Sequence, residues 1–237
     1  MADLLIVKNI TREAPGLLAR VLDEHKISYD VVDLDKGDPF PSLLGYKALV
    51  VLGGPDSAND ATDKIQQELA QVRAAFTAGL PYLGICLGLQ VGVKAAGGSV
   101  VPGSQKEVGF INPSGQQYIV KVTESGKQDP LLADLSGSLK VFQLHGEVVG
   151  LTPSMQLLAT APDCPNQVVK IGDKAYGIQS HFELTDEMLK EWAQQDPDLT
   201  PIGYEKLKAD FAAIRDEYTD IGETLLHNFL RIAGLLE

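Results

Sequence analysis

The stretch LPYLGICLGLQ, residues 80–90, places a cysteine directly after a short apolar run. Gly84 and Gly88 stand two positions before and two positions after Cys86. A sharp strand-to-helix turn crowds the backbone at both flanking positions, which favours glycine there. The pattern predicts a nucleophile elbow, with Cys86 at the N-terminus of a helix whose dipole favours the thiolate. The alternative is a buried structural cysteine, because a free thiol also packs as a small hydrophobic group.

Before this stretch, the chain alternates apolar runs with helical patterns. Such a rhythm predicts an α/β fold with a doubly wound, mostly parallel sheet of the flavodoxin-like kind. Reactive groups belong at the carboxyl ends of such strands. Gly53-Gly54 and Cys86 both fall at strand ends, so the pattern and the chemistry agree. The predicted strands are residues 4–7, 29–34, 48–52 and 80–83, and the predicted helices are residues 15–22 and 63–78.

From residue 97 to residue 177 the chain carries short β-rich runs, which predict antiparallel strands at the edge of the sheet. After Glu183 the pattern becomes helical again. Leu207, Phe211, Ile214 and Tyr218 form an amphipathic stripe that is typical of core packing, or alternatively of a helix that docks a partner. We expect a single domain over residues 1–237, with a core at about 3–190 and a helical C-terminal extension at about 191–237.

A thiolate nucleophile needs a base and a group that orients the base. His181 and Glu183 are two positions apart in the segment QSHFE, residues 179–183. If the segment is extended, both side chains project to the same side. The carboxylate would then hold the imidazole in one tautomer and stabilise its cation. The alternative is a His-x-Glu pair on a solvated loop.

The cysteine segment and the QSHFE segment together resemble the class I (triad) glutamine amidotransferases, most closely glutaminase domains of the GMP-synthase type. The likeness covers roughly residues 3–190 and includes LGGPDS (52–57), EVGF (107–110) and LHGE (144–147). Two positions depart from the common family pattern. Phe182 stands where the family commonly has proline, and Glu147 stands where it commonly has aspartate.

The resemblance implies roles for nine residues. The implied catalytic triad is Cys86, His181 and Glu183; the oxyanion hole is the amides of Gly54 and Leu87; and the substrate contacts are Gly53, Gln90, His145 and Gly146.

Two of these assignments have plainer alternatives. A phosphate-binding loop at Gly53-Gly54 is disfavoured because Pro55 has no N–H to donate, but a plain turn stays open. Gln90 lies one helical turn after Cys86 and on the same face. Its alternative is an exposed helix glutamine.

The implied activity is hydrolysis of the γ-amide of L-glutamine through a cysteine thioester, with ammonia delivered to a synthetase subunit in trans. Three alternatives remain: a stand-alone γ-glutamyl peptidase or hydrolase, a non-catalytic binding protein on the same scaffold, and a PfpI-type cysteine hydrolase. The late His181-x-Glu183 pair argues against the last of these.

Composition restricts the partners. A formal net charge of -12 argues against a nucleic-acid partner, which would require a basic face. No apolar run has membrane-spanning length. Two cysteines, Cys86 and Cys164, without a signal peptide predict a reducing, cytoplasmic compartment, and Cys164 is interpreted as incidental. No spacing of His, Cys, Asp and Glu indicates a metal site, and no cofactor is expected.

Overall fold

The computed structural model describes residues 2–135 and 137–237. Met1 and Ser136, both inside the predicted 1–237 domain, lie outside the described residues. The strands are β1 (Leu4–Lys8), β2 (Tyr29–Asp33), β3 (Ala48–Val51), β4 (Tyr82–Ile85), β5 (Ser99–Gly109), β6 (Ile119–Val122), β7 (Ser138–Lys140), β8 (Gln143–Gly150), β9 (Gln156–Thr160), β10 (Val168–Gly172) and β11 (Ala175–Ile178). The helices are α1 (Leu17–Glu24), α2 (Asp63–Thr77), α3 (Leu87–Ala95), α4 (Asp186–Gln195), α5 (Tyr204–Ala212) and α6 (Arg215–Ile232).

Nine strands form one sheet in the order β2-β1-β3-β4-β11-β10-β9-β6-β7. The first five strands of this order pair in parallel, and their sequence of crossovers is that of flavodoxin-like sheets. The other four continue the sheet in antiparallel pairs. The predicted α/β fold with antiparallel edge strands is therefore confirmed. The strands β8 and β11 were not predicted. β8 pairs with β5 in a separate two-stranded sheet. β11 pairs in parallel with β4, although residues 97–177 were expected to form antiparallel strands.

Helices cover both faces of the sheet. The buried strands carry apolar side chains on each face, and burying these side chains requires a layer on both sides. In β1, Leu4 and Ile6 belong to one core and Leu5 and Val7 to the other, as the two-residue period of a strand requires. The first core also contains residues of α1, α4 and α6, and the second contains residues of α2 and α3. Both layers thus fix the ends of the parallel strands.

The C-terminal apolar stripe packs inside the molecule. Leu207, Phe211, Ile214 and Tyr218 are all buried in the first core. The core-packing interpretation is confirmed, and the alternative of a partner-docking helix is wrong because these side chains are already covered. The stripe spans two helices, since the helical conformation is interrupted between α5 and α6 at residues 213–214. Within residues 2–135 and 137–237, no helix is both long enough and apolar enough to cross a membrane.

Candidate active site

Cys86 occupies the turn between β4 and α3. Its backbone has φ 52° and ψ −106°, a conformation that costs a non-glycine residue roughly 1–3 kcal/mol. Its N–H donates to the carbonyl of Ile178 over 2.7 Å, which ties the turn to the neighbouring strand β11. A side chain on Gly84 would overlap the backbone of Gly88, and one on Gly88 would overlap the carbonyl of Val51. The close packing around the turn explains why glycine stands at both flanking positions.

His181 and Glu183 form a buried pair. His181 Nδ1 lies 2.6 Å from Glu183 Oε1. The pair lies in the segment that follows β11. A hydrogen bond from the N–H of His181 to the carbonyl of Phe142, 2.9 Å long, holds this segment in place. Glu183 Oε2 accepts the N–H of Phe182 over 3.0 Å. A proline at position 182 would lack that donor. The phenylalanine therefore adds a hydrogen bond to the orienting carboxylate, and the solvated-loop alternative does not hold.

The environment of His181 favours its charged form. Burial alone would lower the pKa of His181, but the Glu183 carboxylate and the Cys86 side chain together raise that pKa well above its usual range. Within the described residues, the buried Nε2 atom has no hydrogen-bond partner. The ring also packs edge-on against Trp192, with the ring centroids 5.1 Å apart. An oriented imidazole beside Cys86 suits both proton donation and proton abstraction.

Two backbone amides flank the cysteine. Gly54 follows β3 and lines the same cavity as Cys86, and Leu87 is the first residue of α3. Among the hydrogen bonds of the described residues, neither amide is a donor. Free amides at a helix N-terminus and on an adjacent strand end are suitable donors to a developing oxyanion.

Cys86 opens onto a cavity of about 450 Å³. Its walls come from the loops at the carboxyl ends of the parallel strands, from β8 and from the segment after α4. The lining residues are Arg12, Glu13, Gly54, Pro55, Asp56, Ser57, Cys86, Gln90, Lys106, Leu144, His145, Gly146, Glu147, Asp196, Pro197 and Asp198. The predicted contacts Gln90, His145 and Gly146 are among them, whereas Gly53 is not.

Gln90 is a buried wall residue and not an exposed helix glutamine. Its Nε2 atom lies 3.4 Å from Gln179 Oε1 and 3.5 Å from the carbonyl of Glu147. The side-chain amide of Gln179 in turn points to Cys86, with Nε2 3.7 Å from Sγ. These contacts hold an amide at the edge of the cavity, where it is available to a polar substrate.

His145 belongs to a buried polar cluster. Its Nε2 lies 3.1 Å from Glu107 Oε2 and its Nδ1 lies 3.1 Å from the carbonyl of Glu147. Cys164 completes the cluster, and the potential ligand atoms of Glu107, His145 and Cys164 are all within 4.8 Å of one another. Zinc accepts this donor set, but closed structural zinc sites use four ligands. The pKa of Cys164 is raised to about 12, chiefly by burial, which keeps this thiol neutral.

The sequence did not predict several wall residues. Arg12 pairs with Asp196, Nη2 to Oδ2 2.6 Å, and Lys106 pairs with Asp198, Nζ to Oδ2 2.7 Å. Both pairs bring a segment from beyond α4 to the mouth of the cavity. Glu13 lines the cavity as well. No local motif marks these residues, because each reaches the site only through contacts between distant parts of the chain.

The fold and the site define a class of protein: an α/β protein with a cysteine at a strained strand-to-helix turn and a buried histidine–carboxylate pair beside it. The family model for class I glutamine amidotransferases matches residues 10–191, and the chain belongs to this family.

The similar proteins include both short and long chains. A glutamine amidotransferase-like protein of Salmonella typhimurium, YfeJ, is 33% identical over 155 residues, which cover 63% of this chain and 62% of that protein. A glutamine-hydrolysing GMP synthase of Neisseria meningitidis serogroup C is 28% identical over 187 residues, covering 77% of this chain and 33% of the synthase. The crystal structure of a glutamine amidotransferase from Thermotoga maritima has a TM-score of 0.85 and 25% identity, covering 97% of each chain. The chain thus spans less than two thirds of YfeJ and a third of the GMP synthase.

Proposed function

We propose that the protein hydrolyses the γ-amide of glutamine through a thioester on Cys86. The Cys86 thiolate attacks the γ-carbonyl carbon, and the Gly54 and Leu87 amides donate to the oxyanion. His181, oriented by Glu183, protonates the departing amide nitrogen, which leaves as ammonia. His181 then accepts a proton from water, whose oxygen attacks the thioester carbonyl. The products are glutamate and the free thiol.

One observation carries this proposal. A buried His181–Glu183 pair lies beside a strained cysteine that opens onto a cavity. A buried ion pair is weak evidence for stability, since desolvation offsets most of its attraction. A catalytic role accounts for its position beside the thiol.

The remaining wall residues support recognition of an amino acid. We propose that Gln90, His145 and Gly146 contact the α-amino and α-carboxylate groups of the substrate. Gly53, which does not line the cavity, would act indirectly by permitting the close packing behind His181.

The decisive test is release of ammonia and glutamate from L-glutamine by the purified protein. Cys86→Ala should lower kcat by on the order of a thousandfold or more, because loss of a nucleophile removes the covalent route. Cys164→Ala is the matched control, since it removes the other buried thiol and should retain turnover. Equal turnover by wild type and Cys86→Ala would refute the mechanism.

A stand-alone γ-glutamyl hydrolase is the second candidate. The cavity volume of about 450 Å³ is in the range that holds drug-sized ligands, which leaves room beyond a glutamine side chain. The charged wall formed by Lys106 and Asp198 would face such an extension. A higher kcat/KM for a γ-glutamyl dipeptide than for L-glutamine would favour this candidate. A preference for L-glutamine would favour ammonia delivery to a synthetase subunit, and turnover of neither would favour a binding protein.

A further inference from the structure

Glu13 is a buried carboxylate that the mechanism above does not use. It lies in the loop between β1 and α1 and is 4% exposed. Its Oε2 atom has no hydrogen-bond partner within the described residues. The same side chain lines the cavity that contains Cys86. An unpaired buried carboxyl is costly to a protein, so its position requires an explanation.

Glu13 and His181 both lie beside Gly53. A Cβ atom on Gly53 would overlap Glu13 Oε2 and lie 3.1 Å from His181 Cε1. A carboxylate oxygen of Glu13 and the edge of the His181 imidazole are therefore both close to Gly53, and the absence of a side chain at position 53 leaves room for them.

The loop that carries Glu13 is held firmly. The N–H of Glu13 donates to the carbonyl of Ile10 over 3.1 Å. Trp192 Nε1 donates to the carbonyl of Arg12 over 3.1 Å. The N–H of Leu17 donates to the carbonyl of Glu183 over 2.9 Å. The loop and the His181–Glu183 segment therefore form one hydrogen-bonded unit.

Four charged groups act on Glu13 from the surrounding elements. His181 and Arg12 are cations, and Glu183 and Asp196 are anions. Arg12 is already paired with Asp196. Burial is the main cause that raises the pKa of Glu13 to about 7, and the charge of His181 opposes that rise. Glu13 thus changes its charge in the range where a glutamine-hydrolysing site would work.

We propose that Glu13 is a second carboxylate acting on His181: when ionised, it stabilises the imidazolium beside Gly53 and so supports the thiolate of Cys86. This inference rests on the proposed function in one respect, namely that His181 is the proton donor and acceptor for Cys86. Glu183 orients the ring through Nδ1, whereas Glu13 acts only through its charge. It is a positioning residue, and its effect switches on as Glu13 loses its proton.

The test measures the rate at which iodoacetamide alkylates Cys86 as a function of pH, with the modified cysteine assigned by mass spectrometry. In Glu13→Gln, alkylation near neutral pH should fall by about tenfold, and the profile should lose the step centred at about pH 7. Glu68→Gln is the matched control, because the pKa of Glu68 is also raised to about 7 by burial but no charge of the His181 site acts on it. Its profile should match that of wild type.

A Glu13→Gln profile that superimposes on that of wild type would overturn the inference. Glutamine is absent from this assay, so failure of the proposed function and failure of this inference are separate results. If Glu13→Gln does not fold, the ring signal of His181 in the wild-type protein carries the test. That NMR signal, assigned by its loss in His181→Asn, should shift with a midpoint near pH 7 as Glu13 ionises. A signal that does not move in that range would equally overturn the inference.

Discussion

Gly53 shows how a single missing side chain organises the site. Glu13 Oε2 and the edge of the His181 ring are both close to this residue, and its lack of a Cβ allows both to approach. Gly53→Ala should push the His181 ring away from its position and lower kcat by about tenfold to a hundredfold, because small misplacements of catalytic groups are costly. Steady-state kinetics on the proposed glutamine substrate, with circular dichroism as a check on the fold, measures this.

The control for Gly53→Ala is Gly172→Ala in β10. A Cβ atom at position 172 would meet only Ala175 Cβ, at an ordinary contact distance of 3.6 Å. We expect unchanged kinetics for that variant. Wild-type kinetics for Gly53→Ala would contradict the view that close packing at this position sets the geometry of His181.

At the same scale, residues differ in how far local sequence predicts them. The glycines around Cys86 predict the strained turn because the whole pattern is contained in five neighbouring residues, 84–88. The position of Glu13, in contrast, is not predictable from its neighbours in the sequence. The loop that carries Glu13 is hydrogen-bonded to Trp192 and Glu183, which are far away along the chain, so no pattern near residue 13 indicates its position.

At the scale of elements, α6 supports the segment that carries the histidine. Tyr218 Oη donates to the carbonyl of His181 over 2.9 Å and accepts the N–H of Leu184 over 3.2 Å. Tyr218→Phe leaves both backbone groups buried without a partner, so it should cost about 1–3 kcal/mol in the free energy of unfolding. It should also lower kcat. Urea denaturation and glutaminase kinetics measure the two effects.

Tyr46→Phe is the matched control for this helix contact. It removes an exposed hydrogen bond from Tyr46 Oη to Asp30 Oδ2 of 2.7 Å, and we expect little change in either measurement. If Tyr218→Phe also left both measurements unchanged, α6 would not position the site. The expected result supports our proposal that the helical C-terminal segment belongs to one domain with the core.

The strand β8 shows why elements are harder to predict than motifs. Its sequence, QLHGEVVG, mixes polar residues and two glycines, so it lacks the apolar run that marks β1 or β3. Pairing with β5 creates it, and that pairing places Glu107 opposite His145. The spacing of these residues along the sequence therefore does not predict the cluster of Glu107, His145 and Cys164. For the same reason, the sequence alone makes Cys164 look incidental.

At the scale of the whole molecule, apolar runs were sufficient to predict three of the five strands in the parallel half of the sheet. Strands buried on both faces need continuous apolar sequence, and β1, β3 and β4 have it. In the antiparallel half, a strand such as β6 alternates exposed with buried residues. This pattern made the existence of β6 predictable, but it did not predict that β6 pairs with β7 and β9. The candidate site lies at the carboxyl ends of the parallel strands β3, β4 and β11.

Buried carboxyl groups also make the stability of the whole molecule depend on pH. Burial raises the pKa of Glu68 from 4.5 to about 7, while its Oε1 accepts the Asn9 side-chain amide over 2.9 Å. Between pH 4.5 and pH 7 the folded state holds a proton that the unfolded state has lost. Stability therefore falls as pH rises through this window and levels off above it.

Glu68→Gln removes this dependence and keeps the oxygen that Asn9 donates to. We expect its free energy of unfolding near pH 8 to exceed that of wild type by on the order of 2 kcal/mol, and the difference to vanish near pH 4. Urea denaturation at several pH values measures it, with the exposed Glu24→Gln as the control that changes the same net charge. A constant difference between Glu68→Gln and wild type at all pH values would assign the effect to packing, because only a proton bound in the folded state makes the difference grow as pH rises.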